Sequence, residues 1–356
     1  MRVKIAASIL GFCGAGFGQA TSPAVRVWSV GPLAKSEQTV GITFGPGGAT
    51  ITPSRLDTQT GSIFSATRSV VFAGDRVVVA VRVGAPAARQ VYRLISVDLK
   101  TGDVLSSRDF VDFGVRAIFA TSDAHVIVSG EKILRLTPDL KDDGSFDYRT
   151  AEHKFGRAEN ESPDGVTLGI ANSPGFELLN STTFALTVLT TAPSVDTSVN
   201  GKGFVTDNIH WIRDYPKDLS FVTYVDAEGQ HLLYHGKCGG RPQFLTEELI
   251  LEPGCKSPIV IDTHGSLVRT LPLKGEFSYA RVSQNGRRLA LQIASFSGTH
   301  TIKHEKFVIY SVDIGLAIAE VAPEEQAEEQ SWTALSPDGS MFVVGSPVKL
   351  TLYRLP

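Results

Sequence analysis

The chain has 356 residues, of which 42% are hydrophobic, enough for one large or two medium domains with a substantial buried core. Its 34 glycines and 18 prolines indicate a turn-rich protein of short strands rather than long helices. The formal net charge is −3 and the sequence contains no block of Lys or Arg, which argues against nucleic acid or an anionic membrane as the partner.

The first 20 residues have the pattern of a secretory signal peptide. Residues 1–4 are basic, residues 5–17 form an apolar segment rich in small side chains, and Gly18-Gln19-Ala20 provides the small residues of a cleavage site. The apolar segment is shorter than the about 20 residues that a stable membrane span requires. We therefore expect cleavage after Ala20, a secreted or periplasmic protein, and a mature chain of residues 21–356 that forms a single domain.

A strand-like segment opens the mature chain. Residues 25–30, Val-Arg-Val-Trp-Ser-Val, have the alternating pattern of a half-buried β-strand. Residues 31–65 then follow without a clear place in any repeat. Within them Gly45-Pro46-Gly47-Gly48 predicts a turn, and residues 51–64 are compatible with an extra hairpin.

One local pattern recurs through the rest of the chain: an apolar strand that ends in a polar residue, a turn, and a further strand. The clearest copies occupy residues 93–102, 221–229, 258–265 and 307–315, and weaker copies end near Asp139, Ser181 and Arg354. The seven end positions lie about 43 residues apart on average, which is typical of four-stranded propeller blades. They are residues 98, 139, 181, 226, 262, 313 and 354.

A second pattern, two strands joined by a tight turn, precedes several of these copies. Its turns are Ser162-Pro163-Asp164-Gly165, Gln284-Asn285-Gly286 and Ser336-Pro337-Asp338-Gly339. Proline presets φ and glycine accepts the positive φ of a tight hairpin, so each turn has a physical cause. Residues 332–356 contain three such strands, and a fourth is expected beside them.

The two patterns together predict an all-β fold, a seven-bladed β-propeller of four-stranded antiparallel blades. Because an unpaired sheet edge favours aggregation, we expect the N-terminal strand at residues 25–30 to complete the last blade and close the ring. Trp28 and Trp332 would then share one blade. An eight-bladed ring that uses residues 31–65 is the alternative. The predicted blades cover residues 66–110, 111–152, 153–193, 194–237, 238–275, 276–323 and 324–356.

The segments that carry these repeats resemble a known class. The tail LSPDGSMFVVGSPVKLTLYRL, and VSQNGRRLALQIA followed by KFVIYSVDIG, are similar to the repeats of WD40-like and YVTN-type β-propellers. The Gly-His and Trp-Asp pairs of true WD40 repeats are absent. The resemblance implies a propeller of the exported bacterial type, and it implies no particular activity because the fold serves many functions.

One segment contains the residue types of a binding hot spot. His210, Trp211, Arg213 and Tyr215 stand close together, and Trp, Arg and Tyr dominate the energetics of protein interfaces. The same alternation also fits a half-buried strand that runs into a turn. We keep both interpretations and treat these four residues as candidate binding residues.

Two further candidates are His300 and His304, in a segment that indicates an exposed loop between two strands of the sixth blade. Outside a helix, positions four apart do not share a face, so this pair predicts no metal site. A protruding loop is nevertheless a common place for a binding function.

Cys238 and Cys255 are the only cysteines beyond the predicted signal peptide. They bracket one predicted strand pair, and an oxidising compartment favours their pairing, so we expect a disulfide between them. Two buried thiols are the alternative. Cys13 lies within the leader after the bulky Phe12, which departs from the lipoprotein motif.

No complete catalytic motif is present: the sequence lacks a Gly-x-Ser-x-Gly elbow, a His-Glu-x-x-His helix and a full calcium loop. The leading expectation is therefore an exported, monomeric scaffold that binds a protein or a small-molecule ligand without a cofactor or metal. The alternative is a propeller-type enzyme, a lactonase, lyase or hydrolase. Its site at the central channel would draw single residues from several blades and leave no linear motif.

Overall fold

Seven four-stranded antiparallel sheets follow one another along the chain as blades, and a two-stranded hairpin accompanies them. The structure is a computed structural model. Among the residues that it describes, no helix is long and apolar enough to cross a membrane. The described residues are 21–31, 40–45, 48–53, 69–83, 91–111, 113–147, 157–171, 176–190, 197–207, 220–236, 242–252, 257–273, 277, 280–297, 301–323, 331–346 and 349–356.

The strands are numbered in chain order. Before the first complete blade stand β1 (Val25–Val30), β2 (Val40–Gly45) and β3 (Gly48–Pro53). Blades 1 to 3 contain β4 (Val70–Ala73), β5 (Arg76–Val83), β6 (Val91–Asp98), β7 (Val104–Val111), β8 (Ala117–Ala120), β9 (Val126–Ser129), β10 (Ile133–Leu136), β11 (Asp142–Phe146), β12 (Arg157–Glu161), β13 (Thr167–Ala171), β14 (Phe176–Asn180) and β15 (Leu186–Thr190).

Blades 4 to 7 contain the remaining strands. These are β16 (Thr197–Val199), β17 (Phe204–Asp207), β18 (Ser220–Asp226), β19 (Gly229–Gly236), β20 (Gln243–Phe244), β21 (Leu249–Glu252), β22 (Ile259–Asp262), β23 (Leu267–Thr270), β24 (Ala280–Val282), β25 (Arg288–Ser297), β26 (Thr301–Ser311), β27 (Leu316–Val321), β28 (Trp332–Leu335), β29 (Met341–Gly345) and β30 (Leu350–Arg354).

Each blade is a simple antiparallel meander, and its strands are called a to d from the inside outward. The innermost strands β4, β8, β12, β16, β20, β24 and β28 surround the axis, and β4 touches both β28 and β8. All seven predicted blades are confirmed, and each strand set falls inside the range that the sequence predicts for it, apart from the one-residue overrun of β7.

The N-terminal strand closes the ring, as the sequence predicts. β1 pairs antiparallel with β30, from Val25 opposite Arg354 to Val30 opposite Leu350, and becomes the outermost strand of blade 7. Trp28 and Trp332 therefore belong to the same sheet, and both pack into the core between blades 7 and 1. The ring is joined by a strand that lies more than 300 residues away from its partner in the sequence.

The hydrophobic core is divided among the contacts between neighbouring blades. Seven clusters of buried side chains lie between consecutive blades, including one between blades 7 and 1. Strand β5 shows the cause: Val77 and Val79 face blade 7, whereas Val78 and Ala80 face blade 2. Because successive side chains of a strand point to opposite faces, middle strands that are apolar on both faces can pack against two neighbours.

The polar residues that end the third strands of blades 1 and 5 have a structural role. The Asp98 carboxylate accepts hydrogen bonds from the backbone N–H groups of Lys100 and Thr101, both at 2.8 Å. The Asp262 carboxylate accepts the N–H groups of His264 at 2.9 Å and Ser266 at 2.8 Å. These Asx turns start the hairpin to the outer strand, and their bonds lower the pKa of both carboxyls.

Two segments differ from the sequence prediction. The turn predicted at residues 45–48 joins β2 and β3 as a hairpin, so residues 51–53 belong to β3, and the rest of the hairpin predicted for residues 51–64 lies outside the described residues. The insertion in blade 6 is not an irregular loop, because β25 and β26 continue as paired strands to Ser297 and Thr301. In both places the two strands share one local apolar and polar alternation, and their pairing satisfies backbone groups that a loop would leave to water.

Candidate functional site

The two faces of the disc differ in the connections that they carry. The a–b and c–d turns lie on one side, which we call the turn face, and none of them exceeds five residues. The b–c and d–a connections lie on the other side, which we call the loop face, and every connection longer than five residues belongs to it. A propeller tolerates insertions at positions where they leave the pairing within the blades intact. Long connections on one face are therefore additions that the blades themselves do not require.

Most a–b turns are built by the same polar contacts. Ser336 Oγ donates to the Asp338 carboxylate at 2.6 Å and accepts the N–H of Met341 at 2.9 Å. Ser283 Oγ makes the matching bonds with Asn285 and Arg288. The Ser-x-Asp/Asn-Gly pattern of the sequence is therefore a turn motif, whose buried serine is occupied by hydrogen bonds within the turn.

These turns pack against one another and close the channel at the turn face. Gln284 Nε2 of blade 6 donates to the backbone oxygen of Ala120 in blade 2 at 3.3 Å. Blades 6 and 2 are not neighbours, so this bond spans the channel mouth. Gly165 of blade 3 approaches the same pair so closely that a Cβ there would lie 2.7 Å from the Ala120 oxygen and 2.8 Å from Gln284 Nε2.

A depression of about 340 Å³ lies at the centre of the turn face, outside this seal. Its lining residues are Pro163, Asp164, Thr246, Glu247, Glu248, Gln284 and Asn285. Asp164 is already engaged by the N–H of Val166 at 3.0 Å within its own turn. Among the described residues, no group of three or more His, Cys, Asp or Glu side chains is arranged to hold a metal ion.

The channel wall is apolar where blades 1 and 2 line it. The four residues of β4 and the four of β8 are all hydrophobic and buried. The propeller-enzyme alternative requires acidic, basic or histidine side chains that converge on the axis. These two inner strands provide none, and the Gln284 contact covers one end.

The loop face carries three long insertions. Residues 31–69 leave β1 and enter β4 at this face, and they include the β2–β3 hairpin. Residues 208–219 join β17 to β18. The third insertion is the extension of β25 and β26, which we call the blade 6 arm: residues 293–297 and 301–306.

The blade 6 arm extends beyond the other strands of its sheet. β24 pairs with β25 only as far as Leu291, and β27 pairs with β26 only from Phe307 onward. Five further pairs, from Ile293 opposite Lys306 to Ser297 opposite Thr301, continue the hairpin past that point. At 3.4 Å per residue these five pairs lengthen the hairpin by about 17 Å, and its first pairs still pack against the blades.

A buried carboxylate anchors the base of the arm. Glu305 is only 4% exposed and accepts hydrogen bonds from the Gln292 side-chain amide and from the hydroxyl and backbone N–H of Ser331. Ser331 immediately precedes the inner strand of blade 7, so these bonds link the arm to the next blade. Burial raises the pKa of Glu305, and the hydrogen bonds from Ser331 and Gln292 offset part of that rise.

The structure places one of the predicted binding residues. His304 is exposed on the arm, opposite Ser295. His210, Trp211, Arg213 and Tyr215 lie between β17 and β18, outside the described residues.

The remaining predictions on individual residues also fall outside the described part of the chain. His300 lies in the short gap between β25 and β26. Cys238 and Cys255 lie in the connections that enter β20 and leave β21, and β20 and β21 pair with each other, so both connections meet this hairpin at the loop face. The signal peptide and these sites remain predictions.

Sequence reasoning missed the Glu305 anchor. A signal was available in the alternation: Gln292 and Glu305 stand at positions where β25 and β26 otherwise place apolar side chains toward blade 7. A polar pair at two inward positions of adjacent strands indicates a buried hydrogen-bonded contact. The contact of Glu305 with Ser331 depends on how blades 6 and 7 pack against each other. A local sequence pattern does not specify that packing.

Comparisons with known proteins bear on the fold. No protein-family model matches the chain, and no curated protein matches it. One similar solved structure is a chain from the crystal structure of a mitotic checkpoint complex, 10% identical with a TM-score of 0.51 over 99% of this chain and 98% of that one. Another is hydrazine synthase of Kuenenia stuttgartiensis, 13% identical with a TM-score of 0.50 over 82% of this chain and 96% of that one. With its own seven closed blades, the chain is a seven-bladed β-propeller, as the WD40-like resemblance implies.

Proposed function

We propose that this protein is an exported β-propeller scaffold that binds a partner protein, or a ligand, on its loop face. The difference between the two faces carries this proposal. The turn face consists of short turns that are occupied by their own hydrogen bonds and sealed across the axis by Gln284. The loop face carries every connection longer than five residues. Such connections can change in sequence and length without altering the blades, so a binding surface is expected on this face.

The blade 6 arm suits such a role because it is held in place before any partner arrives. Its strands pair with each other as far as Ser297 and Thr301, with one register shift after Ser295, and Glu305 ties its base to blade 7. A pre-ordered element loses less conformational entropy on binding than a loop that must fold. Trp211, Arg213 and Tyr215, in the segment that joins β17 to β18, have the composition of an interface hot spot.

Export and resemblance supply the cellular setting of the proposal. The leader pattern of residues 1–20 and the pair Cys238 and Cys255 both fit a secreted or periplasmic protein. The repeats resemble those of exported YVTN-type propellers. The mitotic checkpoint structure shows a propeller of this shape within a protein complex, which supports a scaffold role by analogy alone.

The test compares variants of the two faces. We expect the purified mature chain to capture a specific partner from the exported fraction of its source cells, and the purified partner to bind it directly. Replacing residues 295–304 by Asn-Gly shortens the arm but keeps Glu305, and should weaken that binding at least tenfold. The double variant Glu247→Gln, Glu248→Gln on the turn face is the control and should bind like the parent.

Two results would overturn the proposal. One is equal loss of binding in the turn-face control, which would move the site to the other face. The other is a hydrolase or lactonase activity, with or without added metal, that copurifies with the chain and survives the arm replacement. That activity would establish the enzyme alternative instead.

A further inference from the structure

The strand that closes the ring is held by contacts with three blades. β1 pairs along β30 in blade 7, and the Trp28 indole donates to the backbone oxygen of Leu99 in blade 1 at 2.9 Å. Just before β1, the N–H of Ser22 donates to the backbone oxygen of Ile318 in blade 6 at 3.1 Å. All of these contacts are made with groups of the ring that receives β1, so they are the same whichever copy of the chain supplies the strand.

The connection that follows β1 is much longer than its step in the ring requires. It covers residues 31–69 and runs from the outer strand of blade 7 to the inner strand of blade 1. The same step between other consecutive blades takes five residues at 112–116, six at 191–196 and ten at 322–331. Because three strand spacings of about 4.8 Å make a blade about 15 Å wide, five extended residues are enough to cross it. Residues 31–69 therefore contain about thirty residues beyond this need.

The extra length allows β1 to reach a second ring. With the β2–β3 hairpin kept folded, residues 31–39 and 54–69 can still span up to about 80 Å at about 3.3 Å per residue. Two rings that touch at their edges place the inner strand of blade 1 in one copy about 25 Å from the outer position of blade 7 in the other, since packed sheets lie about 10 Å apart. A five-residue connection spans about 20 Å and stays within its own ring.

Exchange between copies competes with closure inside one chain. A connection of this kind gives two parts of the same chain an effective concentration on the order of millimolar, so β1 occupies its own blade 7 in dilute solution. Exchange becomes comparable when the protein concentration approaches that value. Because Trp28 is buried between blades 7 and 1, β1 has to leave the core before it can change its ring, and we expect slow interconversion.

We propose that β1 is an exchangeable strand, and that blade 7 without it accepts β1 of a second copy of the chain to give a strand-exchanged dimer. Each copy then completes the last blade of the other ring with the same pairing from Val25 to Val30. The contacts across the channel mouth and the anchor of the blade 6 arm lie away from β1, so both remain as they are in the monomer. The dimer carries two loop faces in one particle, which strengthens binding to any partner that presents two sites.

The test refolds the chain of residues 21–356 from denaturant at about 5 µM and at about 0.5 mM, below and near the effective concentration of closure. Gel filtration with light scattering then measures the mass. We expect monomer in the dilute sample, and in the concentrated sample a dimer that dissociates slowly after dilution. The matched control replaces residues 31–68 by Gly-Ser-Gly-Ser, which leaves a connection as long as residues 112–116. It should form at least tenfold less dimer than the parent.

A cysteine pair distinguishes an exchanged strand from any other dimer. The hydroxyls of Ser29 and Thr351 lie 2.9 Å apart across the pairing of β1 with β30, so the double variant Ser29→Cys, Thr351→Cys can form a disulfide there. In the monomer this bridge closes within one chain, whereas in the exchanged dimer it links two chains, and a non-reducing gel separates the two products. The single variant Ser29→Cys is the control for bridges to Cys238 or Cys255.

Three outcomes would overturn the proposal. The parent stays monomeric after refolding at the higher concentration, or the variant with the short connection forms as much dimer as the parent. Alternatively, a dimer forms in which the cysteine pair links only residues of one chain, so that β1 has not been exchanged. The cysteine variant keeps the full connection, and its result decides the question even if the short-connection variant does not fold. None of these outcomes depends on whether the loop face binds a partner.

Discussion

At the residue scale, Trp28 makes the closing strand specific for its place in the ring. Its indole Nε1 donates to the backbone oxygen of Leu99 at 2.9 Å, across the boundary between blades 7 and 1. Gly102 has a φ of +80°, and a Cβ there would lie 3.0 Å from the indole ring. The glycine therefore serves two needs, a left-handed backbone and space for the tryptophan.

We predict that Gly102→Ala destabilises the protein by roughly 2 kcal/mol, because it combines a strained backbone with a clash against Trp28. Gly114→Ala is the matched control, since Gly114 has a φ of +40° and nothing lies within 4 Å of its added Cβ. Chemical denaturation of both variants measures the difference. Equal destabilisation would mean that the contact with Trp28 contributes nothing.

Glu305 is the buried ionisable group with the clearest consequence for pH. Its folded pKa lies above the ordinary value of 4.5, so over the window above 4.5 the folded protein binds more protons than the unfolded chain. The stability that this group contributes therefore falls as the pH rises through that window, and levels off above the folded pKa.

We predict that Glu305→Gln removes this dependence. The unfolding free energy of the variant minus that of the parent should therefore be larger at neutral pH than at pH 4.5. The amide oxygen can keep the bonds from Gln292 and the Ser331 N–H, while the amide nitrogen donates to the Ser331 hydroxyl. Glu305→Leu is the control, because it removes the buried acceptor of these bonds and should destabilise the protein by about 1–3 kcal/mol. Parallel stability curves for the parent and Glu305→Gln from pH 4 to 8 would contradict the assignment.

At the element scale, β1 has the largest influence on the fold for its length. It pairs along β30, and its Trp28 is 9% exposed in the core between blades 7 and 1. Without it, blade 7 would have three strands and an unpaired outer edge, and blades 7 and 1 would lose part of their shared core.

Deleting residues 24–30 should lower the melting temperature by many degrees, because the loss of a buried tryptophan alone costs roughly 3–5 kcal/mol. Ser29→Ala is the control: it removes one hydroxyl contact with Thr351 and should cost about 1 kcal/mol. Thermal unfolding followed by circular dichroism measures both. A truncated chain that melts with the parent would rule out closure through β1 as a source of stability.

The strands themselves were largely predictable from sequence. Polar anchors such as Asp98 and Asp262 mark where the third strand ends, and Ser-Pro-Asp-Gly marks the first turn, because both turns are made by contacts within a few residues. The sequence predicts the turn between β2 and β3 without the strands around it, and it predicts a loop where the blade 6 arm lies. In those segments the strand pairing extends several residues away from the turn. Alternation of apolar and polar residues alone does not fix the residue at which a strand ends.

At the scale of the whole molecule, the ring separates a closed face from an elaborated one. Packing seven blades brings their first turns together at the axis, where Gln284 reaches the backbone of a blade three positions away. Every connection longer than five residues lies on the other face, away from this contact.

We predict that the mature protein starts at Thr21 and contains a disulfide between Cys238 and Cys255. Both cysteines belong to connections that meet the β20–β21 hairpin at the loop face, and a bridge over a loop of this length contributes on the order of 3 kcal/mol. Mass spectrometry of the non-reduced, exported protein should show a mass two hydrogens below that of the dithiol chain. Two alkylatable thiols would refute the bridge, and an N-terminus other than Thr21 would refute the cleavage site.

The sequence by itself predicted the approximate bounds of seven blades and the strand that closes the ring, whereas the structure decided between seven and eight blades. These features depend on alternation and on turn residues that act over fewer than ten positions, repeated at a regular spacing. Only the tertiary structure decided which connections share a face, that Gln284 reaches across the axis to Ala120, and that Ser331 holds Glu305. Each of those contacts joins residues from different blades, and their relative position is set by the packing and closure of the ring, which no local stretch of sequence specifies.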